Sequence, residues 1–177
     1  MIRRGANQPY ILHPLEVASI AATMTVDEEI LAAAVLHDTV EDTDTTIEDI
    51  EALFGPRVAR LVGSDTENKR PELPPSETWR IRKEESLEIL ATASREDKII
   101  WLSDKLSNMR SLLRMHRAQG HGFWKIFHQT DPHQQAWYYR TIRELLSDMS
   151  DLEAWQELAW HIDQVFGDLD EGEGTDE

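Results

Sequence analysis

From Leu15 to Phe166 the apolar residues recur at intervals of three and four, and no stretch alternates with the period of two expected of a strand. That pattern predicts an all-α fold, a single helical bundle, and it also places the helices. Pro14 takes a first-turn position ahead of Leu15, Val17, Ile20 and Ala21, and Asp27 precedes a stripe of Ile30, Ala33, Ala34 and His37. Thr46 and Asp49 have capping-box spacing, and Gly55-Pro56 ends that short helix and begins the next. Between Gly63 and Ser76 the chain turns polar and carries Pro71, Pro74 and Pro75, which predicts a surface loop. A helix from about Ser76 to Ala93 follows. Ser94 and Asp97 then cap a longer one with the stripe Ile99, Leu102, Leu106, Met109 and Leu113, closed by Gly120. Asp131-Pro132 opens a helix carrying Tyr138, Ile142, Leu145 and Met149, and Asp151 opens the last, with Leu152, Trp155, Ala159, Ile162 and Phe166. Residues 1–166 read as one domain, and the acidic, glycine-punctuated tail 167–177 is expected to be disordered.

A chain of 177 residues buries one sizeable core unaided. With no cysteine there are no disulfides, thiolate nucleophiles or zinc-finger sites, so any metal site must draw on His, Asp and Glu. The 34 acidic residues outnumber the 18 basic ones, and a formal charge of −16 argues against a nucleic-acid or anionic-membrane partner, since phosphate backbones demand a basic footprint. A small anionic ligand remains compatible if bases cluster locally. No apolar run has membrane-spanning length and the start lacks a signal-peptide stretch, so the expectation is a cytoplasmic protein.

The segment Leu36-His37-Asp38-Thr39-Val40-Glu41-Asp42-Thr43 sets four ionisable side chains at the end of an apolar stripe. On a continuing helix His37 lies one turn from Glu41 and Asp38 one turn from Asp42. The stripe aims this face at the core, where a carboxylate costs several kcal/mol unless a cation or hydrogen bonds compensate. The same residues also fit a frayed, solvated helix end. Two further features favour the metal reading. His13, in Pro9-Tyr10-Ile11-Leu12-His13-Pro14, stands at a helix start whose backbone the proline fixes, and Asp104 is flanked by core residues in the longest helix, with Asn108 one turn on. His13, His37, Asp38 and Asp104 make a mixed nitrogen and oxygen set suited to Mn, Fe, Co or Zn.

The order His-Pro, then His-Asp-x-x-Glu-Asp-Thr, then Leu-Ser-Asp-Lys-Leu-x-Asn-Met-Arg resembles the HD-type hydrolase domain of the RelA/SpoT family, and the short stand-alone alarmone hydrolases above all. The similarity runs from Arg3 to about Leu146. It implies a manganese-dependent pyrophosphohydrolase that removes the 3′-diphosphate of guanosine tetra- or pentaphosphate. It further implies His13, His37, Asp38 and Asp104 on the metal (Mn²⁺ or another divalent transition metal), Glu41 and Asp42 as the catalytic acidic pair, and Arg3, Arg4 and Asn108 at the nucleotide. Family members carry a helix ahead of the Arg-Arg pair, so this sequence reads as truncated at its start or lacking that helix. Gly63 to Lys69 also departs from the family's usual turn.

The implied chemistry needs cations for developing phosphate charge, and Lys69, Arg70, Arg80, Arg82, Lys83, Lys105 and Arg110 are candidates. Trp79-Arg80-x-Arg82-Lys83 is the sharpest group, with Trp79 the tryptophan that could stack on a base. An ordinary amphipathic face explains that group equally well. His116, His121, His128, His133 and His161 read as solvated. Two other functions fit the motifs: an HD phosphohydrolase for another phosphorylated nucleotide, and a catalytically silent, metal-stabilised regulatory domain. Retention of both Glu41 and Asp42 speaks against the second.

Overall fold

The computed structural model describes residues 1–2, 8–65, 70 and 72–169. Among them run nine α-helices: α1 Leu12–Ala21, α2 Glu28–Leu36, α3 Thr39–Asp42, α4 Ile47–Phe54, α5 Pro56–Asp65, α6 Pro75–Ala91, α7 Arg95–Gln119, α8 Pro132–Leu145 and α9 Glu153–Phe166. Short 3-10 turns cover Gly120–Ile126, Ser147–Met149 and Gly167–Leu169. An isolated antiparallel bridge between Ile2 and Pro9 is the extended pairing among the described residues, so the all-α expectation holds.

The helix punctuation follows local chemistry. Asp27 accepts from the backbone N–H groups of Glu29 and Ile30, Thr46 and Asp49 form a reciprocal capping box, and so do Ser94 and Asp97. Gly55 and Gly120 close α4 and α7 at φ of 88° and 56°, values that a side chain disfavours.

Helix α7 is the axis of the molecule: it packs along α1 and α9 and also touches α2, α5 and α6. Its expected stripe is buried, but so are Ile100, Trp101, Leu112 and Met115, which makes it apolar nearly all round, as a central helix must be. α1 with α2, α4 with α5, and α8 with α9 complete the bundle as adjacent pairs.

Several boundaries differ from the sequence reading. Leu15, expected in the core, is 51% exposed, because α1 turns its Val17, Ile20 and Ala21 face inward. Met149 is buried from a 3-10 turn rather than from α8, which ends at Leu145, and α9 begins two residues after Asp151. Helix α5 extends to Asp65, into the expected loop, and Lys69 and Pro71 lie outside the described residues. Of the tail, Gly167–Leu169 form a 3-10 turn, and 170–177 lie outside the described residues.

The apolar line of α2 does not run on through the acidic residues. The His37 ring bonds the carbonyl of Ala34 at 2.9 Å, competing with the helix's own ladder. Asp38 then takes φ −91° and ψ −3°, and the chain restarts as the four-residue α3.

Candidate metal centre

Three helices bring the four expected ligands together. α1 supplies His13, the α2–α3 break supplies His37 and Asp38, and the middle of α7 supplies Asp104. His13, His37 and Asp104 are buried, and their donor atoms lie within 4.8 Å of one another. His13 Nε2 stands 3.1 Å from Asp104 Oδ1 and 3.5 Å from Asp38 Oδ2, while His37 Nε2 stands 3.1 Å from Asp38 Oδ2 and 3.6 Å from Asp104 Oδ1. Donors about 2.0–2.2 Å from one divalent cation are roughly 3–3.5 Å apart, the spacing seen here.

The hydrogen bonding points the same way. His37 Nε2 is buried and has no hydrogen-bond partner, although Asp38 Oδ2 stands 3.1 Å away. A buried ring nitrogen left so, facing two carboxylates and a second imidazole, is what a cation satisfies. The donor set therefore fits a hard or borderline divalent metal.

Asp104 is fixed by Asn108 Nδ2 on Oδ1 at 2.7 Å and by Lys105 Nζ on Oδ2 at 2.5 Å. Burial alone would push its carboxyl upward, but Lys105, His13 and His37 outweigh burial and hold it well below the usual carboxylate range. Burial likewise pulls His37 down, yet Asp104 and Asp38 raise it well above its ordinary value in the metal-free protein. Asp38 is lowered against its own burial, chiefly by His37. Tyr10, which the sequence does not single out, donates its hydroxyl to Asp38, and burial beside that carboxylate raises the phenol far above its normal range. Its place three residues before His13 is the signal that could have found it.

Glu41 is half-buried on α3, and Asp42 is exposed at the wall of a cavity of about 480 Å³ beside the cluster. Asp38 and Thr39 share that wall, and Pro9, Ile11, Pro14 and Val35 make it apolar opposite.

The other candidate residues are dispersed. Lys105 and Asn108 sit at the cluster through Asp104. Arg110 donates Nε and Nη2 to Glu157, both at 2.7 Å, and Nη1 to Glu16 at 3.1 Å. Trp79 is 6% exposed, packed edge-on against Trp137 and Tyr138. Arg80 lies 3.3 Å over the Trp137 ring and pairs with Glu84, and Lys83 lies 4.9 Å over Tyr138. Arg3, Arg4 and Lys69 lie outside the described residues.

Of the histidines expected to be solvated, His161 is buried with Nδ1 on the Glu157 carbonyl, and His116 and His121 meet across Gly120. The His116 and His121 rings are 4.7 Å apart, both half-buried, with Asp168 3.0 Å from His121 Nε2. The fully buried Trp124 donates its indole N–H to His121 Nδ1, so Nε2 carries the ring proton and gives it to Asp168. A cation on Nε2 would move that proton onto Nδ1, against the indole N–H, so Trp124, His121 and Asp168 form a hydrogen-bonded relay with the His116 ring packed beside it.

Comparison with known proteins agrees with this geometry. A family model described as an HD domain matches residues 2–125. A guanosine-3′,5′-bis(diphosphate) 3′-pyrophosphohydrolase of Danio rerio is 44% identical over 108 residues, covering 60% of this chain and 57% of that protein. One from Aquifex aeolicus is 43% identical over 111 residues, 62% of this chain and 15% of that protein. The match thus spans little more than half of the first relative and a small part of the second. Among solved structures, a Listeria monocytogenes EGD-e protein aligns with a TM-score of 0.76 at 34% identity, covering 88% of this chain and 99% of that one. Another, described as a metazoan ortholog of SpoT that hydrolyzes ppGpp, aligns with a TM-score of 0.68 at 30% identity, covering 95% and 85%. Among the described residues no helix is long and apolar enough to cross a membrane.

Proposed function

The chain belongs to the HD domain family, and from that premise we propose that it is a metal-dependent pyrophosphohydrolase acting on the 3′-diphosphate of guanosine 3′,5′-bis(diphosphate), with Mn²⁺ as the cation. The observation that carries the reading is the buried cluster of His13, His37 and Asp104, with the half-buried Asp38 3.1 Å from His37 Nε2, beside an acidic turn that borders a cavity. The names of the similar hydrolases support the substrate.

His13, His37, Asp38 and Asp104 would hold the cation, with Asn108 and Lys105 fixing Asp104. When bound, a divalent cation supplies Lewis acidity that polarises phosphate oxygen and acidifies water. Glu41 and Asp42, one turn from the ligands, divide the proton work: one carboxylate takes the proton of the attacking water and the other returns a proton to the departing ribose 3′-oxygen. The P–O bond to that oxygen breaks and pyrophosphate leaves. Lys105 at the cluster's edge meets developing phosphate charge together with Lys69, and Arg3 and Arg4 line the nucleotide site. The guanidinium of Arg80 and the ammonium of Lys83 are engaged on aromatic faces of α8, which gives them a packing role.

The test is pyrophosphate release from guanosine tetraphosphate with Mn²⁺. The wild type should release it, and Asp38→Ala and Glu41→Ala should each cut the rate by roughly 10²-fold or more. A folded, Mn²⁺-loaded wild type that leaves the nucleotide intact would sink the substrate assignment.

A further inference from the structure

We propose, resting on the metal-centre reading above, that Ser107 and Glu16 are positioning residues that select the tautomer of His13 and thereby set how strongly the centre holds its cation. Both histidines turn Nε2 toward the cluster and use Nδ1 for an outer partner, but the partners differ in kind. His37 Nδ1 meets the backbone carbonyl of Ala34, which only accepts, so Nδ1 keeps its proton and the neutral ring that binds a cation offers its Nε2 lone pair. His13 Nδ1 meets the hydroxyl of Ser107 at 2.9 Å, and a hydroxyl can donate or accept.

The next link decides the direction. Ser107 Oγ donates to Glu16 Oε2 at 2.7 Å, and an ionised carboxylate only accepts. The hydroxyl has one proton, and it goes to Glu16. Oγ therefore offers His13 a lone pair, Nδ1 is N–H, and Nε2 faces Asp104 and Asp38 unprotonated, ready to ligate. Without Glu16 the hydroxyl is free to rotate and donate to Nδ1, which favours the tautomer with N–H aimed at the cation position.

Glu16 is itself aimed. Arg110 Nη1 donates to its other oxygen at 3.1 Å while Glu157 grips the rest of the guanidinium. Asp104, Ser107 and Arg110 follow one another at three-residue spacing on α7, and Glu16 follows His13 at the same spacing on α1. Ligand, brace and clamp thus share one helix face. Ser107 is fully buried, where an idle hydroxyl is costly.

Titration of Mn²⁺ into wild type, Ser107→Ala and Glu16→Gln, with free Mn²⁺ followed by EPR, tests the brace. Ser107→Ala should raise the Kd by roughly 10–100-fold, the usual range for loss of an outer partner, and Glu16→Gln by a smaller factor, about 3–10-fold. Proton NMR of the Zn²⁺-loaded protein adds a readout that packing alone would not move. The His13 Nδ1–H resonance should be lost to solvent exchange in Ser107→Ala, while that of His37 persists on the Ala34 carbonyl. Wild-type affinity in Ser107→Ala overturns the proposal, even with a lowered melting temperature. If Ser107→Ala does not fold, wild-type affinity in Glu16→Gln, a partly exposed site, overturns it equally. A wild type that binds no Mn²⁺ overturns the metal-centre reading itself, a result distinct from either.

Discussion

His37 is raised by Asp104 and Asp38 in the metal-free protein, so at neutral pH it carries a proton that a cation must displace. Metal binding should therefore release protons, and affinity should climb as pH rises toward the folded-state value of His37. Calorimetry in buffers of different ionisation enthalpy reads this directly, and a binding heat independent of buffer would contradict it. At this scale the sequence was legible where a motif names a residue type. His13, His37, Asp38 and Asp104 are identifiable from spacing and resemblance, and the fold brings them within reach of one another. Tyr10, Ser107 and Glu16 escape such a reading, because an aromatic, a hydroxyl and a surface-type carboxylate acquire meaning only when α1 is laid against α7. The Trp124–His121–Asp168 relay escapes it too, and so does the His116 ring beside it: four residues, the last a positive-φ glycine, separate His116 from His121, so no helical spacing links the rings.

At the level of elements, caps were readable because their chemistry is local. Asp27, Thr46, Ser94 and Asp131 each accept from the backbone of the helix they open. Ser94→Ala, exposed and so leaving no cavity, should cost about 1 kcal/mol and lower the melting temperature by roughly 2–4 °C in a thermal melt. What local pattern did not reveal was the break after α2. The apolar and ionisable residues keep helical spacing from Ile30 to Asp42, and it is the His37 ring, drawn back to the Ala34 carbonyl, that divides them. The exposed Leu15 and the 3-10 position of Met149 likewise depend on which neighbour each face meets.

On the scale of the whole molecule, one core built on α7 unites the bundle. Leu158→Ala, a fully buried side chain on the α9 face packed against α7, should cost about 2–5 kcal/mol, lowering the urea midpoint with the slope unchanged. Arg57 ties three elements by donating to Asp27, Glu29 and Glu96. Its hydrogen bonds to Asp27 hold that carboxyl below its ordinary value, so the contribution is present above the unfolded value near pH 4 and is lost as pH falls through the folded one. Arg57→Met should accordingly flatten the acid limb of a melting-temperature profile, and an acid limb parallel to the wild type would refute the pairing. His13, His37 and Asp104 are embedded in this core, whereas α3, which carries Glu41 and Asp42, buries none of its four residues. Native-state hydrogen exchange would thus find Glu41 and Asp42 in a low-energy local opening and His13, His37 and Asp104 in the global one. On the proposed function, changes in Thr39–Asp42 alone would abolish turnover and leave the buried His13, His37 and Asp104 in place, so hydrolysis and ion binding would be separated by a single turn of helix.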